Sequence, residues 1–190
     1  MSKWLPVLLL ACAGVGAHAA PASDSASSDE LGRFMSQRGF VSQIQNAGHQ
    51  VADKTSQLLT TAMGLIGVPY RRGGTSEDTG FDCSGFVRAI YQKTAGLTLP
   101  RRSDEQAAAT ATIKKQDLKP GDLVFFNTMR RAFSHVGIYV GEGKFIHAPR
   151  TGASVRVESM ESKYWATRFN GARRVETQDS NAVAALAPQS

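Results

Sequence analysis

Cysteine is scarce: two in 190 residues exclude a disulfide-dense scaffold and a four-thiolate zinc site. Long apolar runs are also missing. The longest mostly apolar stretch, residues 5–15, falls short of the roughly 20 residues a transmembrane helix needs. No repeat appears at any period between about 20 and 50 residues, which excludes solenoids and propellers. The content of 42% apolar and 20% charged residues lies near globular averages and excludes wholesale disorder, collagen and coiled coil. A chain of this length holds one ordinary domain with tails rather than two independent cores. Acidic residues are the minority, 16 against 22 Lys and Arg, and the net charge of +6 favours an anionic partner. Nucleic acid, anionic lipid and cell-wall polymer all satisfy that condition.

The N-terminus narrows the compartment. Lys3, the apolar residues 5–15 and the small-x-small triplet Ala17-His18-Ala19 read as a secretory signal over 1–19, cleaved after Ala19, which exports the mature protein. A rival reading takes Leu9-Leu10-Ala11-Cys12 as a lipoprotein site and gives an outer-membrane anchor through Cys12, although Leu10 is atypical there. Cleavage after Ala19 leaves Cys83 as the sole thiol, and a lone thiol in an oxidising compartment is either buried and inert or kept for chemistry. Residues 20–54 read as a linker with a marginal helix, because its apolar period is interrupted at Gly39 and Gly48. Residues 176–190 read as a solvated tail.

Clearer signals fill residues 55–175. Leu58, Leu59, Ala62, Met63, Leu65 and Ile66 form a helical stripe stopped by Gly67 and Pro69. A Gly-rich polar loop follows and leads to Phe81-Asp82-Cys83-Ser84-Gly85. Phe86, Val87, Ile90, Tyr91 and Thr94 then recur at helical spacing until Gly96. Cys83 therefore starts a helix, where unpaired N–H groups and the helix dipole favour a thiolate. Ser103 to Gln106 has capping-box spacing and opens a short helix. Strands are expected at 122–126, 135–140, from 144, at 153–158 and near 169–175. Helices followed by strands define an α+β domain with an antiparallel sheet.

The 135–149 hairpin tests function by register. A three-residue loop over Gly141-Glu142-Gly143 sets Ile138 opposite Ile146 and puts His135, Gly137, Tyr139, Phe145 and His147 on one face. A two-residue loop, one residue out of step, separates the two histidines. With both imidazoles on one face, Cys83, His135 and His147 have the makings of a nucleophile, its base and the group that orients the base. The same three as zinc ligands lack the close pairs typical of zinc sites, so no metal is expected.

These segments resemble the NlpC family of cell-wall cysteine peptidases. The likeness rests on Gly67-Val68-Pro69-Tyr70 with Gly73-Gly74, Asp82 to Val87, Leu99-Pro100-Arg101, Pro120 to Phe126, His135 to Gly141 and Phe145 to Ala148. Tyr164-Trp165 and Arg173-Arg174-Val175 fit its single-domain murein endopeptidases of Gram-negative envelopes. The resemblance implies a papain-like fold with N-terminal helices packed on an antiparallel sheet. It implies hydrolysis of peptidoglycan stem peptides without a cofactor, with Cys83 as nucleophile, His135 as base and His147 as the orienting member. It further implies that Tyr70 borders the catalytic centre and that Asp82 and Ser84 line the substrate groove, while Arg101 either meets a substrate carboxylate or is a solvated charge. Many members add wall-binding modules, and none is seen here, so targeting falls to the basic charge, a regulatory protein partner or a lipid. The arginine pairs 71–72, 101–102 and 130–131 offer to draw anionic stem peptides to the groove. Nucleic acid is not an expected partner, since no recognition motif is present. A non-catalytic wall-binding or scaffold protein that keeps the fold is the alternative.

Overall fold

The computed structural model describes residues 40–176. The expected signal, the Cys12 anchor, the 20–30 segment and the tail beyond Glu176 lie outside the described residues.

Helix α1 (Phe40–Gly64) runs unbroken through Gly48 and across the expected linker boundary at 54/55. The expected interruption at Gly48 does not occur, because a glycine inside a helix costs only about 1 kcal/mol, which neighbouring turns offset. The C-terminal half of α1 contributes Leu58 and Ala62 to the core, joined by Leu65 just past its end. Residues 67–70 then pair with 153–155: Gly67 and Tyr70 donate to Val155 and Ala153, and Val155 donates back to Val68. The strand expected over 153–158 is accordingly divided. Its first half serves residues 67–70, and β7 proper is Arg156–Ser159.

A two-stranded ribbon, β1 (Thr75–Ser76) and β2 (Gly80–Phe81), delivers the chain to α2 (Cys83–Ala95). Asp82 is the N-cap of α2, its carboxylate accepting from Gly85 N at 2.8 Å, and Gly96 closes the helix in the left-handed conformation. Helix α3 (Ser103–Ala108) is capped one residue earlier than expected, at Arg102: Glu105 accepts from Arg102 N, which frees the Ser103 hydroxyl to donate to Phe133 O.

The main sheet has six antiparallel strands in the order β3-β8-β4-β5-β6-β7. They are β3 (Ala111–Ile113), β4 (Leu123–Phe126), β5 (His135–Gly141), β6 (Lys144–His147), β7 and β8 (Phe169–Arg174), with the short helix α4 (Lys163–Ala166) between the last two. Strand β3 and helix α4 are not foreseen from the sequence. Both sheet faces are covered. Leu123, Phe125, Val136, Ile138 and Ile146 pack against Phe86, Val87 and Ile90 of α2 and the α1 residues. Val124, Phe126 and Phe145 pack on the other face against Met160 and Trp165. This explains why β4 reads as a continuous apolar run, since alternate residues enter two different cores. The architecture is the expected α+β one.

The hairpin reaches the expected pairing by another route. Its turn is the two residues Glu142-Gly143, with φ of 52° and 67°, the positive pair that a two-residue hairpin turn requires. Gly141 pairs with Lys144, yet Tyr139 pairs with Phe145 and Ile138 with Ile146, which leaves Val140 as a bulge. The extra residue restores the register that the shorter turn would shift. His135 and His147 consequently share a face.

Candidate active site

The nucleophile position is built by close backbone packing. A Cβ on Gly85 would lie 2.1 Å from Gly74 O, so only glycine lets the first turn of α2 settle on the Gly73-Gly74 loop. Asp82 then joins the parts. Its carboxylate accepts from Gly73 N at 3.0 Å, Gly85 N at 2.8 Å and both terminal nitrogens of Arg101 at 3.0 and 2.5 Å. The Ser84 hydroxyl accepts from Arg101 at 3.0 Å. Arg101 is thus bound to Asp82 in a bidentate ion pair rather than solvated, and Arg102 pairs with Asp104, so this arginine pair is largely neutralised. Asp82, Ser84 and Arg101 form a cradle beneath Cys83. Buried Gln106 braces it by donating to Ser84 O and Pro100 O, both at 3.0 Å, a contact that no sequence signal announced.

Beside this cradle a cavity of about 670 Å³ is lined by Tyr70, Cys83, Ser134, His135, Glu158 and Trp165, with Arg150, Arg156, Met129 and Tyr164 farther round its wall. Tyr70 therefore borders the same space as the cysteine. Ser134 fixes the loop before His135 by accepting from Thr128 N and Met129 N.

His135 and His147 are buried and meet at 2.7 Å, Nε2 of His135 against Nδ1 of His147. That bond leaves His135 only Nδ1 for the cavity. Trp165 stacks on His135, ring centres 5.4 Å apart, and stands edge-on to His147. The far nitrogen of His147, Nε2, lies 3.6 Å from Glu158 Oε2, too long for a direct hydrogen bond and close enough for the carboxylate charge to act on the imidazole. The same Glu158 oxygen accepts from Trp165 Nε1, and the other oxygen pairs with Arg156. Sequence reasoning missed Glu158. Strand β7 places it across from Phe145 and on the histidine face, but the long 148–155 connection carries no tight turn to fix that register.

Electrostatics favour a neutral resting pair. Burial, then the Asp82 charge, pushes the Cys83 thiol up to about 11, against the N–H groups of Val136, Ser84 and Cys83 itself, which favour the thiolate. The lowered thiol pKa expected from a helix start is therefore not found, because desolvation outweighs the dipole. Burial and the neighbouring His147 hold His135 down to about 3, with Glu158 acting in the opposite direction. His147 is also lowered, chiefly by burial. Glu158 is lowered to about 2 by His147, Trp165 and Arg156, against its burial. Separate ionisation of either Cys83 or His135 is costly. Transfer of one proton from thiol to imidazole creates opposite charges on two groups that line one cavity, which offset one another.

A papain-like α+β fold with a cysteine at a helix start and a histidine pair on the adjoining sheet defines a cysteine hydrolase of known type. The chain belongs to the NlpC/P60 family of cysteine peptidases, whose model it matches over residues 67–174. It is 43% identical to murein DD-endopeptidase MepH of Escherichia coli over 142 residues, 73% of this chain and 52% of that protein. It is 35% identical to the murein DD-endopeptidase MepS/murein LD-carboxypeptidase of E. coli over 171 residues, 89% and 87% of the two chains. The chain thus spans about half of MepH and most of MepS. Among solved structures, the NlpC/p60 domain of the peptidoglycan hydrolase SagA matches with a TM-score of 0.57 and 34% identity, covering 64% of this chain and 98% of that one.

Proposed function

We propose that the protein is a murein endopeptidase that cleaves peptidoglycan stem-peptide amides, with the D-Ala to diaminopimelate crosslink as its preferred bond. The observation that carries the reading is the 2.7 Å His135–His147 bond in a site whose cavity is shared by His135 and Cys83. Support for the substrate comes from MepH and MepS, both named murein DD-endopeptidases.

In this reading the Cys83 proton passes to His135 Nδ1 as sulfur attacks the peptide carbonyl carbon. The carbonyl oxygen gains the negative charge. Gly85 N is committed to the Asp82 carboxylate and Phe86 N to Asp82 O, so the N–H groups of Cys83 and Ser84 are those left to stabilise that oxyanion, each worth roughly 3 kcal/mol in comparable sites. Collapse breaks the C–N bond, His135 returns its proton to the leaving amine, and a thioester remains. Water, deprotonated by His135, hydrolyses the thioester and regenerates the thiol. Tyr70 borders the bound peptide, and the Asp82–Ser84–Arg101 cradle keeps the nucleophile's turn in place. Arg150, on the cavity wall, offers a cation to substrate carboxylates. The 1–19 segment exports the chain to the periplasm, where the wall lies.

A second bond is favoured by one observation, the 42% identity over 112 residues to the γ-DL-glutamyl hydrolase of Bacillus subtilis. Purified crosslinked muropeptide dimers separate the two readings when products are followed by liquid chromatography and mass spectrometry. Crosslink cleavage gives two monomers with intact stems; γ-glutamyl cleavage shortens the stems. Intact dimers after exhaustive incubation overturn the endopeptidase reading.

A further inference from the structure

We propose that Glu158 is a positioning residue that selects the tautomer of His147, and through it the nitrogen with which His135 meets the Cys83 thiol. The proposal rests on the reading of Cys83 and His135 as nucleophile and base. It starts from His147 Nε2, a buried nitrogen without a hydrogen-bond partner that faces the Glu158 carboxylate at 3.6 Å.

A neutral imidazole carries one proton, on either nitrogen. If His147 held it on Nδ1, Nε2 would turn a lone pair toward a carboxylate in a buried, weakly screened setting. Like electron density repels there. With the proton on Nε2, the N–H dipole points at the carboxylate and Nδ1 becomes an acceptor. The 2.7 Å bond then has one sense: His135 Nε2–H donates to His147 Nδ1. His135 Nδ1 is consequently bare and faces the cavity as the base. One carboxylate two residues removed along the chain Cys83, His135, His147, Glu158 thereby fixes the direction of proton transfer, and its charge favours the imidazolium formed when the thiol gives up its proton.

Glu158 is itself held in place. Arg156 takes one of its oxygens and Trp165 Nε1 the other, and Trp165 stacks on His135. The titratable and charged groups on the cavity that His135 lines are Tyr70, Cys83 from α2, Arg150, Arg156 and Glu158 from β7, and Tyr164 from α4; of these, Glu158 and Arg156 act on His147. Glu158 supplies the negative charge at His147 Nε2. A glutamine there keeps the size but not the charge, and its amide either accepts from Nε2–H or donates to bare Nε2, so both tautomers become accessible.

Two-bond 1H–15N correlation spectra of the 15N-labelled full chain read the tautomer directly, with His49 as an internal reference. The proposal expects a single Nε2–H form of His147 in the wild type and mixed forms in Glu158→Gln. It also expects the protonation midpoint of the histidine pair to move to lower pH in Glu158→Gln. On crosslinked muropeptides kcat should fall roughly ten- to a hundredfold, the scale known for carboxylates that orient metal-bound histidines, with KM little changed. Glu158→Asp keeps the charge one methylene short and should recover part of kcat and the single tautomer. An Nδ1–H form of His147 in the wild type, or tautomer populations unchanged in Glu158→Gln, overturns the proposal. A merely structural role would lower activity without moving the tautomer or the midpoint. If the wild type cleaves no muropeptide, the functional reading fails, while the spectra still decide for or against Glu158.

Discussion

Gly137 lies beside His147 so closely that a Cβ built on it would stand 3.1 Å from the His147 Cβ, 2.6 Å from the Phe145 ring and 2.9 Å from Ile146 O. The absence of a side chain at Gly137 lets β6 approach β5 and lets the two imidazoles meet. Gly137→Ala must displace a ring or the strand itself. We expect a loss of about 1–3 kcal/mol in unfolding free energy, read by urea titration, with a further loss of activity in the fraction that remains folded. Unchanged stability and activity would show that the two strands have slack there.

Acid should destabilise the fold through His135. Its folded pKa of about 3 lies below its ordinary 6.5, so between those values the unfolded chain binds a proton that the folded chain excludes. Stability therefore falls as pH falls from 6.5 towards 3. Lowered His147 adds in the same direction, and Glu158, depressed from 4.5 to about 2, adds its own loss as pH falls between those two values. Urea unfolding at pH 7 and pH 5 checks this. His135→Gln should flatten the dependence, and an equal slope in both proteins would contradict the account.

The thiol should respond in opposite senses to the two halves of the Asp82–Arg101 pair. The Asp82 charge raises the Cys83 pKa, and Arg101 stands against that charge. In Arg101→Ala the midpoint of iodoacetamide alkylation against pH should rise; in Asp82→Asn, which keeps the helix cap, it should fall. The wild-type midpoint should lie above that of a free thiol. Shifts of the same sign in both variants would mean that altered packing, rather than charge, governs the thiol.

The histidines should contribute unequally to turnover. His135→Ala removes the group that moves the proton and should cost roughly a hundredfold or more in kcat. His147→Ala leaves that group in place but removes its 2.7 Å partner, and should cost less. Equal losses in steady-state kinetics on one muropeptide would argue against this division of roles.

Much of the site was legible because its parts obey local rules. A glycine-rich loop ahead of Asp82-Cys83-Ser84-Gly85 marks a capped helix start, and period-two alternation at 135–147 places both histidines on one face. The register was reached for a different reason than expected, since a two-residue turn and a bulge at Val140 together mimic a three-residue loop. Two features depend on contacts distant in sequence. The thiol's desolvation arises from packing of α2 against β5, which no local pattern reports. Glu158 reaches His147 only after an irregular connection whose last residues, 153–155, pair with residues 67–70. Gly48 shows the limit of breaker rules, because one glycine does not end a 25-residue helix.

The central claim is that the Cys83 thiol cleaves stem-peptide amides, and the most direct test is mass spectrometry of fragments released from purified sacculi by the mature protein and by Cys83→Ala. The account predicts new peptide termini at the crosslink with the unmodified protein and none with the folded variant. The same fragments released by Cys83→Ala would contradict it.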